Sequence, residues 1–174
     1  TGEGGAVASA NGTYLERARL FRNHGLVRDR AQMLFESEGR WYQEVHEVGL
    51  NYRIPDILCA LGTSQLKKLP GFIARRRLLA SRYLDLLSDV DGLRLPTPSA
   101  EVESAWHLFV VRVLGGRRKS AYDFLVSRGI LVQVHYMPVH LHPAFRDLGF
   151  GPGMFPVAER AYSEIISLPL YPGL

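Results

Sequence analysis

The residues whose types and spacing most clearly could do chemistry lie in one segment, "ILVQVHYMPVHLHPAF", at residues 130–145. It holds His135, His140 and His142, three of the six histidines in the chain, together with Tyr136 and two prolines. Zinc sites usually place two ligands on one helical turn or use cysteines. No cysteine or acidic residue accompanies these three histidines, so the segment predicts no metal site.

The same segment is typical of a strand that ends in a rigid turn. If residues 130–136 form a strand, side chains alternate, and His135 and Tyr136 point to opposite faces. Pro138 cannot donate to a sheet and predicts that the strand ends there. A histidine beside a tyrosine at a strand end can hydrogen-bond a substrate. A histidine whose hydrogen bonds are satisfied within the fold is the alternative that the residues leave open.

A second candidate site is "GLNYRIPD" at residues 49–56, where Asn51 and Arg53 come just before a predicted helix start. Backbone donors and the helix dipole favour an anion at such a position, and arginine adds a planar fork that matches phosphate or carboxylate. An Asx turn with a surface arginine is the competing interpretation. The glycine turn "TGEGG" at residues 1–5 could cradle a phosphate or be a simple turn.

The helices and strands that must position these residues are predicted from the spacing of apolar residues and from the glycines and prolines that end such elements. A capping box of Thr13 and Glu16 predicts a helix that Gly25 ends, and residues 26–50 predict a long loop. Pro70 predicts a break between a helix that starts near Pro55 and a long amphipathic helix over 72–87. We further predict strands over 4–9, 107–113 and 130–136 and helices over 120–128 and 156–166. The alternation after residue 88 indicates an α/β or α+β layer arrangement.

Composition excludes several classes of protein. No run reaches the roughly 18 to 20 apolar residues of a membrane span, and the N-terminus lacks signal-peptide character, so we expect a cytoplasmic protein. The net charge is +4, but the arginines are dispersed, which argues against nucleic acid. The runs at 75–77 and 117–119 predict a solvated helix face and an exposed turn. Cys59, the single cysteine, predicts a buried structural thiol.

Seven stretches, in order, resemble the DegT/DnrJ/EryC1/StrS family of sugar aminotransferases, which depend on pyridoxal phosphate. They are "TGEGGAV", "LFRNHG", "GLNYRIPDILCALGTSQL", "FIARRRLLASRY", "SAWHLFVVRV", "GILVQVHYMPVHLHPAF" and "FPVAERAYSEIISLPLYPGL". The resemblance implies an α/β fold, the C-terminal part of a fold-type I aminotransferase. Residues 1–70 correspond to the tail of the large cofactor-binding domain with a dimer-interface loop, 71–87 to a connecting helix, and 88–174 to a small domain with about three strands.

The family's Schiff-base lysine precedes the "TGEGG" stretch, so the resemblance implies that it lies upstream of residue 1 and that this fragment is inactive by itself. Lys67, Lys68 and Lys119 do not occupy its context, and no residue here is expected to be catalytic. By the same resemblance, Asn51 and Arg53 are cofactor-binding residues that reach across a dimer interface, Asn51 toward the cofactor phosphate of the neighbouring subunit and Arg53 toward phosphate or substrate. His135 and Tyr136 line the nucleotide-sugar pocket, and His140 and His142 shape the turn.

The implied function of the parent is amination of a nucleotide-linked 4-keto-6-deoxy sugar, with glutamate as donor, in a homodimer with shared active sites. The stretches look most like the C4 transaminases of pseudaminic acid synthesis. One alternative is a dehydratase of the same family with histidine in place of the lysine. Another is a binding module for nucleotide sugars or a protein partner, without chemistry of its own.

Overall fold

The computed structural model describes residues 1–174 as an α/β fold with five α-helices and five short strands, which confirms the predicted class. In chain order they are α1 (Gly12–Phe21), β1 (Leu26–Val27), β2 (Glu44–Val45), α2 (Asp56–Leu87), β3 (Leu93–Arg94), β4 (Phe109–Val113), α3 (Arg118–Ser127), α4 (Pro143–Arg146), α5 (Pro156–Glu164) and β5 (Ile165–Leu168). The chain divides into two units, residues 1–67 and 68–174. No helix is long and apolar enough to cross a membrane.

Helix α1 is capped by Asn11, so the predicted capping box of Thr13 and Glu16 is wrong. The Asn11 side chain accepts a hydrogen bond from the Thr13 backbone N–H at 3.0 Å, the bond that an N-cap residue makes. The helix ends at Phe21, before the predicted terminator Gly25, whose φ is +69° and whose N–H donates to Leu20 O at 2.9 Å. A Cβ at Gly25 would collide with the carbonyl of Glu47, so only glycine permits the close approach of these two segments. The predicted strand over residues 4–9 is absent because this exposed segment has no strand partner.

Residues 26–50 form a loop with a short antiparallel ladder, which sequence periodicity did not indicate. Strand β1 pairs with β2 through Leu26–Val45 and Val27–Glu44. The segment after β2 then runs along the end of α1: the Leu50 N–H donates to Phe21 O at 2.7 Å. These contacts satisfy carbonyls at the helix end, which otherwise lack partners.

Helix α2 runs without a break through Pro70, so the predicted fresh start is wrong. Proline removes one backbone N–H donor and crowds the preceding turn, at a cost of about 3 kcal/mol in a helix interior. Pro70 is exposed, so water can hydrate the carbonyl that loses its partner. Within the second unit, Leu79 and Ala80 bury the apolar face of this helix, as the predicted amphipathic pattern requires.

The second unit is built on a three-stranded antiparallel sheet in the order β3-β4-β5. Phe109 and Val111 alternate inward from β4 and meet Ile166 of β5 in the core. Tyr83 of α2 stacks on Phe109, with ring centroids 4.9 Å apart. The strand predicted over 107–113 and the helix predicted over 120–128 are therefore confirmed, with shifts of one or two residues at their ends.

The strand predicted over 130–136 is wrong. The segment touches the sheet at a single antiparallel bridge, where Gln133 and Ser167 exchange backbone hydrogen bonds of 3.2 and 2.7 Å. Val132 is buried, which explains the apolar pattern, but one bridge is too short to form a strand. The helix predicted over 156–166 ends at Glu164, because Ile165 and Ile166 pair with β4 instead.

The arginine run of α2 is not the solvated face that was predicted. Arg75 donates to Leu174 O at 2.6 Å, and Arg77 donates to Ser104 O at 3.0 Å. Arg76 Nη1 contacts three carbonyl oxygens, described below. Arginine satisfies several backbone acceptors at once because its guanidinium carries five donors.

The prediction of a buried thiol is also wrong, because Cys59 is exposed on α2. The second basic run does not lie wholly in a turn. Arg118 is the first residue of α3, lies over the ring of Tyr162 and donates to its carbonyl at 3.1 Å. Lys119 pairs with Asp123 one helical turn on, at 2.7 Å.

Candidate functional site

Asn51 and Arg53 lie together in the first unit, as the sequence suggested, and a third residue joins them. Arg53 Nε donates to Asn51 Oδ1 at 3.1 Å, and Arg53 Nη1 donates to Asn23 Oδ1 at 2.7 Å. The backbones of Asn23 and Asn51 form an isolated antiparallel bridge, which holds both amides beside the arginine. The guanidinium is thus oriented by two neutral amide oxygens and keeps its full positive charge.

The Arg53 side chain lines a groove of about 970 Å³ that we call the first groove. Its other walls include the glycine turn, with Gly4 and Gly5, and the face of α1 with Arg19 and Arg22. Arg53 precedes the first turn of α2, where unpaired backbone N–H groups favour anions. This groove therefore combines a fixed guanidinium with other cationic side chains.

The loop before Asn51 is organised around one buried carboxylate, Glu44. It accepts hydrogen bonds from the backbone N–H groups of Leu34 at 2.8 Å and Phe35 at 2.9 Å, and it lies 2.6 Å from His46 Nε2. Burial raises the pKa of Glu44, but the bonds from Leu34, His46 and Phe35 outweigh that effect and hold the pKa at about 2. Glu44 is therefore ionised at neutral pH and fixes the loop that leads to Asn51.

His135 and Tyr136 lie side by side in the second unit, with ring centroids 4.7 Å apart and the ring planes at 82°. His135 Nδ1 lies 2.8 Å from Ser167 Oγ, a hydrogen bond to the buried β5 strand. Ser167 thus orients the imidazole and leaves Nε2 for another partner. Tyr136 is 74% exposed, so its hydroxyl is open to a ligand.

His140 fixes the turn that follows this pair. It is buried, its Nε2 lies 3.0 Å from Glu159 Oε1, and its ring packs edge-on against Phe155. Glu159 also accepts from the Gly153 N–H at 2.8 Å. The bonds from Gly153, His140 and Phe155 lower the pKa of Glu159. Together, the His140–Glu159 hydrogen bond and the Gly153–Glu159 hydrogen bond link the turn at 139–141 to the loop before α5.

His142 makes no side-chain hydrogen bond and is exposed. His135 and His140 each bind a different partner, Ser167 and Glu159. No group of three or more His, Cys, Asp or Glu side chains is placed to hold a metal ion.

Sequence reasoning did not find three supporting residues. Asn23 orients Arg53, Ser167 orients His135, and Glu159 anchors His140. Each partner lies 19 to 32 residues away from the residue it holds. Asn23 belongs to the stretch "LFRNHG" that carries part of the family resemblance, and this was the only signal for it.

A sequence profile of the DegT/DnrJ/EryC1/StrS aminotransferase family matches residues 1–174. The chain is 39% identical over 174 residues to the erythromycin biosynthesis sensory transduction protein EryC1 of Saccharopolyspora erythraea. That alignment covers 99% of this chain and 43% of EryC1. The chain is 35% identical to the dTDP-4-dehydro-2,3,6-trideoxy-D-glucose 4-aminotransferase of Saccharopolyspora spinosa. That alignment covers 100% of this chain and 45% of the aminotransferase.

Among solved structures, Helicobacter pylori PseC, an aminotransferase involved in the biosynthesis of pseudoaminic acid, superposes with a TM-score of 0.79 at 29% identity. The match covers 94% of this chain and 42% of PseC. The chain thus spans less than half the length of the relatives it matches. Its sequence and its fold together show that it belongs to the DegT/DnrJ/EryC1/StrS family of aminotransferases.

Proposed function

We propose that the whole protein transfers an amino group from glutamate to C4 of a nucleotide-linked 4-keto-6-deoxy sugar. Family membership supports the reaction type, and the names of the relatives from S. spinosa and H. pylori support the substrate class. The proposal assigns residues 1–70 to the end of a large cofactor-binding domain, 71–87 to a connecting helix and 88–174 to a small domain. It includes a cytoplasmic homodimer with shared active sites.

The cofactor of the family is pyridoxal phosphate, which when bound supplies an aldehyde to carry the amino group and an electron sink. Arg53 fits its phosphate. Of the five N–H groups of the guanidinium, two donate to Asn51 and Asn23, which leaves three for an anion. Arginine with free donors is well suited to phosphate because its planar fork makes two parallel bonds. In the proposed dimer, Asn51 and Arg53 serve the phosphate held by the neighbouring subunit.

His135 and Tyr136 are proposed to bind the sugar nucleotide. The bond to Ser167 fixes the His135 ring, so Nε2 can bond a sugar hydroxyl or a phosphate oxygen without losing further rotational freedom. The exposed Tyr136 hydroxyl can donate or accept. Together these two side chains orient the substrate and exclude water from one side of it.

One observation carries this proposal: the Arg53 guanidinium is held between two neutral amide oxygens and its charge is not compensated. A purely structural arginine would be expected to pair with a carboxylate or to cap carbonyls, as Arg76 does. An oriented cation with free donors in a groove is instead typical of an anion-binding site.

The proposal is tested with the whole protein, pyridoxal phosphate, glutamate and a UDP- or dTDP-linked 4-keto-6-deoxy sugar. Mass spectrometry of the sugar and an assay of 2-oxoglutarate give the products. We expect equal amounts of 4-amino sugar and 2-oxoglutarate. A dehydrated sugar without amination would identify the dehydratase, and tight sugar-nucleotide binding without turnover would identify a binding module. Either result would overturn the aminotransferase assignment.

A further inference from the structure

Tyr136, one of the two residues proposed to bind the sugar nucleotide, lies in a stretch whose backbone makes no hydrogen bonds. Residues 134–137 belong to no helix or strand, and none of their N–H or carbonyl groups bonds to another residue. The Tyr136 ring contacts that of His135 but is exposed and makes no side-chain hydrogen bond. The residues on either side of this stretch must therefore hold Tyr136 in position.

Two side-chain contacts anchor this stretch, one on each side of Tyr136. On the N-terminal side, His135 Nδ1 lies 2.8 Å from Ser167 Oγ. On the C-terminal side, the buried His140 places its Nε2 3.0 Å from Glu159 Oε1. The tyrosine is thus held between two histidines, each of which is bound to a partner elsewhere in the second unit.

The connection between Tyr136 and His140 is short and stiff. Only residues 137–139 separate them, and one of these is Pro138, whose ring fixes its own φ. The Leu141 N–H donates to Pro138 O at 2.9 Å, which closes a tight turn around His140. Because few backbone torsions can change over this distance, a displacement of His140 also displaces Tyr136.

Both anchoring partners come from one continuous piece of the chain. Glu159 lies on α5 and Ser167 on β5, and α5 runs directly into β5 without a loop. The Glu159 carboxylate also accepts from the backbone N–H groups of Gly153 at 2.8 Å and Phe155 at 3.3 Å, so three separate donors fix its position. Strand β5 pairs with β4 and buries Ile166 in the core. The anchors of Tyr136 therefore belong to the packed part of the second unit.

We propose that Glu159 is a positioning residue of the nucleotide-sugar site, which acts through His140 to hold Tyr136 where the substrate binds. Glu159 itself does not touch the substrate. The contact of Tyr136 with substrate rests on the proposed function, whereas the anchoring of the turn by Glu159 does not. A tyrosine that is already in place loses less conformational freedom on binding, so loss of the anchor should raise KM and leave kcat nearly unchanged.

The first experiment measures the anchor itself, by hydrogen–deuterium exchange and mass spectrometry of peptides that cover residues 139–146 of the whole protein. His140→Leu removes the donor to Glu159, whereas His140→Gln keeps an N–H donor close to the position of Nε2. We expect exchange to become about tenfold faster in His140→Leu and to stay within about threefold of the unaltered protein in His140→Gln. Unchanged exchange in His140→Leu, or equal acceleration throughout α5, would overturn the anchor.

The second experiment measures KM and kcat for the nucleotide sugar in Glu159→Ala, His140→Leu and the double variant. We expect each single variant to raise KM about five- to tenfold with kcat changed less than about twofold, and the double variant to match the singles because the pair acts as one unit. His142→Leu is the matched control, since His142 follows the same turn but is exposed and makes no side-chain hydrogen bond. Fully additive effects of the two substitutions would contradict action through His140.

A Tyr136→Ala background separates positioning from a general effect on the fold. There we expect Glu159→Ala to change KM less than about twofold, because no tyrosine remains to be misplaced. An effect of the same size with and without Tyr136 would refute the positioning role.

The outcome can be separated from the test of catalysis. If the protein lacks aminotransferase activity, the same comparison is made on Kd for the nucleotide sugar by isothermal titration calorimetry, and a Tyr136-dependent loss in Glu159→Ala supports the positioning role although the proposed reaction fails. If the protein is an active aminotransferase and Glu159→Ala leaves KM unchanged, the reaction stands and the positioning role fails. Absence of any nucleotide-sugar binding would overturn both.

Discussion

Arg76 Nη1 donates to the carbonyl oxygen of Leu170 at 2.8 Å and lies 3.1 Å from the carbonyl oxygens of both Trp106 and His107. One nitrogen atom on helix α2 therefore binds two segments that lie 30 and 94 residues away along the chain. Trp106 has a φ of +49°, a conformation that is uncommon for a large side chain, and the Arg76 contact holds its carbonyl in place.

Replacement of Arg76 should lower the free energy of unfolding. Arg76→Met keeps the apolar stem but leaves the partly buried carbonyls of Trp106 and Leu170 without their charged donor, so we expect the free energy of unfolding to fall by about 2 to 3 kcal/mol. Urea denaturation of the intact protein, followed by circular dichroism, measures this change in the free energy of unfolding. Arg82→Met on the same helix is the control and should change stability by less than about 0.5 kcal/mol. Equal effects in the two variants would contradict the role of Arg76.

Glu44 should make the loop that carries Trp41 sensitive to acid. Its folded-state pKa of about 2 lies below its ordinary value of 4.5, so its contribution to stability is present above pH 4.5 and is lost as the pH falls from 4.5 toward 2. Nuclear magnetic resonance of the Glu44 side-chain carboxyl carbon should give a midpoint near 2. A midpoint at or above 4.5 would show that the bonds to Leu34, Phe35 and His46 do not form.

The neutral variant Glu44→Gln should open the same loop at pH 7. Glutamine accepts weaker bonds from Leu34 and Phe35 than a carboxylate does, and it loses the charge opposite His46. We expect faster tryptic cleavage after the exposed Arg40, followed by mass spectrometry. Glu36→Gln is the matched control, because Glu36 is exposed and makes no side-chain hydrogen bond. Cleavage at the same rate in both variants would contradict the role of Glu44 in holding this loop closed.

Arg53→Ala in the whole protein should reduce affinity for pyridoxal phosphate by about one to two orders of magnitude, because it removes a charge-assisted contact of about 1.5 to 3 kcal/mol. The absorbance of the bound cofactor during titration measures this affinity. Arg146→Ala is the control, since Arg146 is exposed and makes no side-chain hydrogen bond.

Mixed dimers test the proposed cross-subunit assignment. One subunit lacks the Schiff-base lysine and the other carries alanine at Asn51 and Arg53, so one intact site should form in each mixed dimer and restore activity. Mixtures that remain as inactive as either parent would contradict the assignment of Asn51 and Arg53 to a neighbour's site.

His135→Ala should raise KM for the nucleotide sugar about tenfold, because it removes a hydrogen bond that Ser167 orients. Ser167→Ala should raise KM less, since the imidazole remains but can rotate. His142→Ala is the control, because this exposed histidine makes no side-chain hydrogen bond, and steady-state kinetics should show no change. An unchanged KM in His135→Ala would remove His135 from the proposed substrate site.

Local patterns in the sequence determined much of the fold. The apolar spacing over 72–87 predicted the part of α2 that buries Leu79 and Ala80, because a helix face repeats every 3.6 residues. Alternation predicted β4, where Phe109 and Val111 point inward. The family resemblance supplied the roles of Asn51, Arg53, His135 and Tyr136 in a binding site. The residue types alone had left both a binding role and a structural role open.

Only the tertiary structure decided which distant groups meet. Helix α2 continues through Pro70, residues 130–136 touch the sheet at the single Gln133–Ser167 bridge, and Arg76 binds three carbonyls instead of water. Asn23, Arg19 and Arg22 come to lie around the same groove as Arg53 through the contacts of the 46–52 segment with α1. Local propensity could not predict these outcomes, because each depends on a hydrogen bond or a packing contact between residues far apart in sequence, and such contacts exist only once the chain has folded.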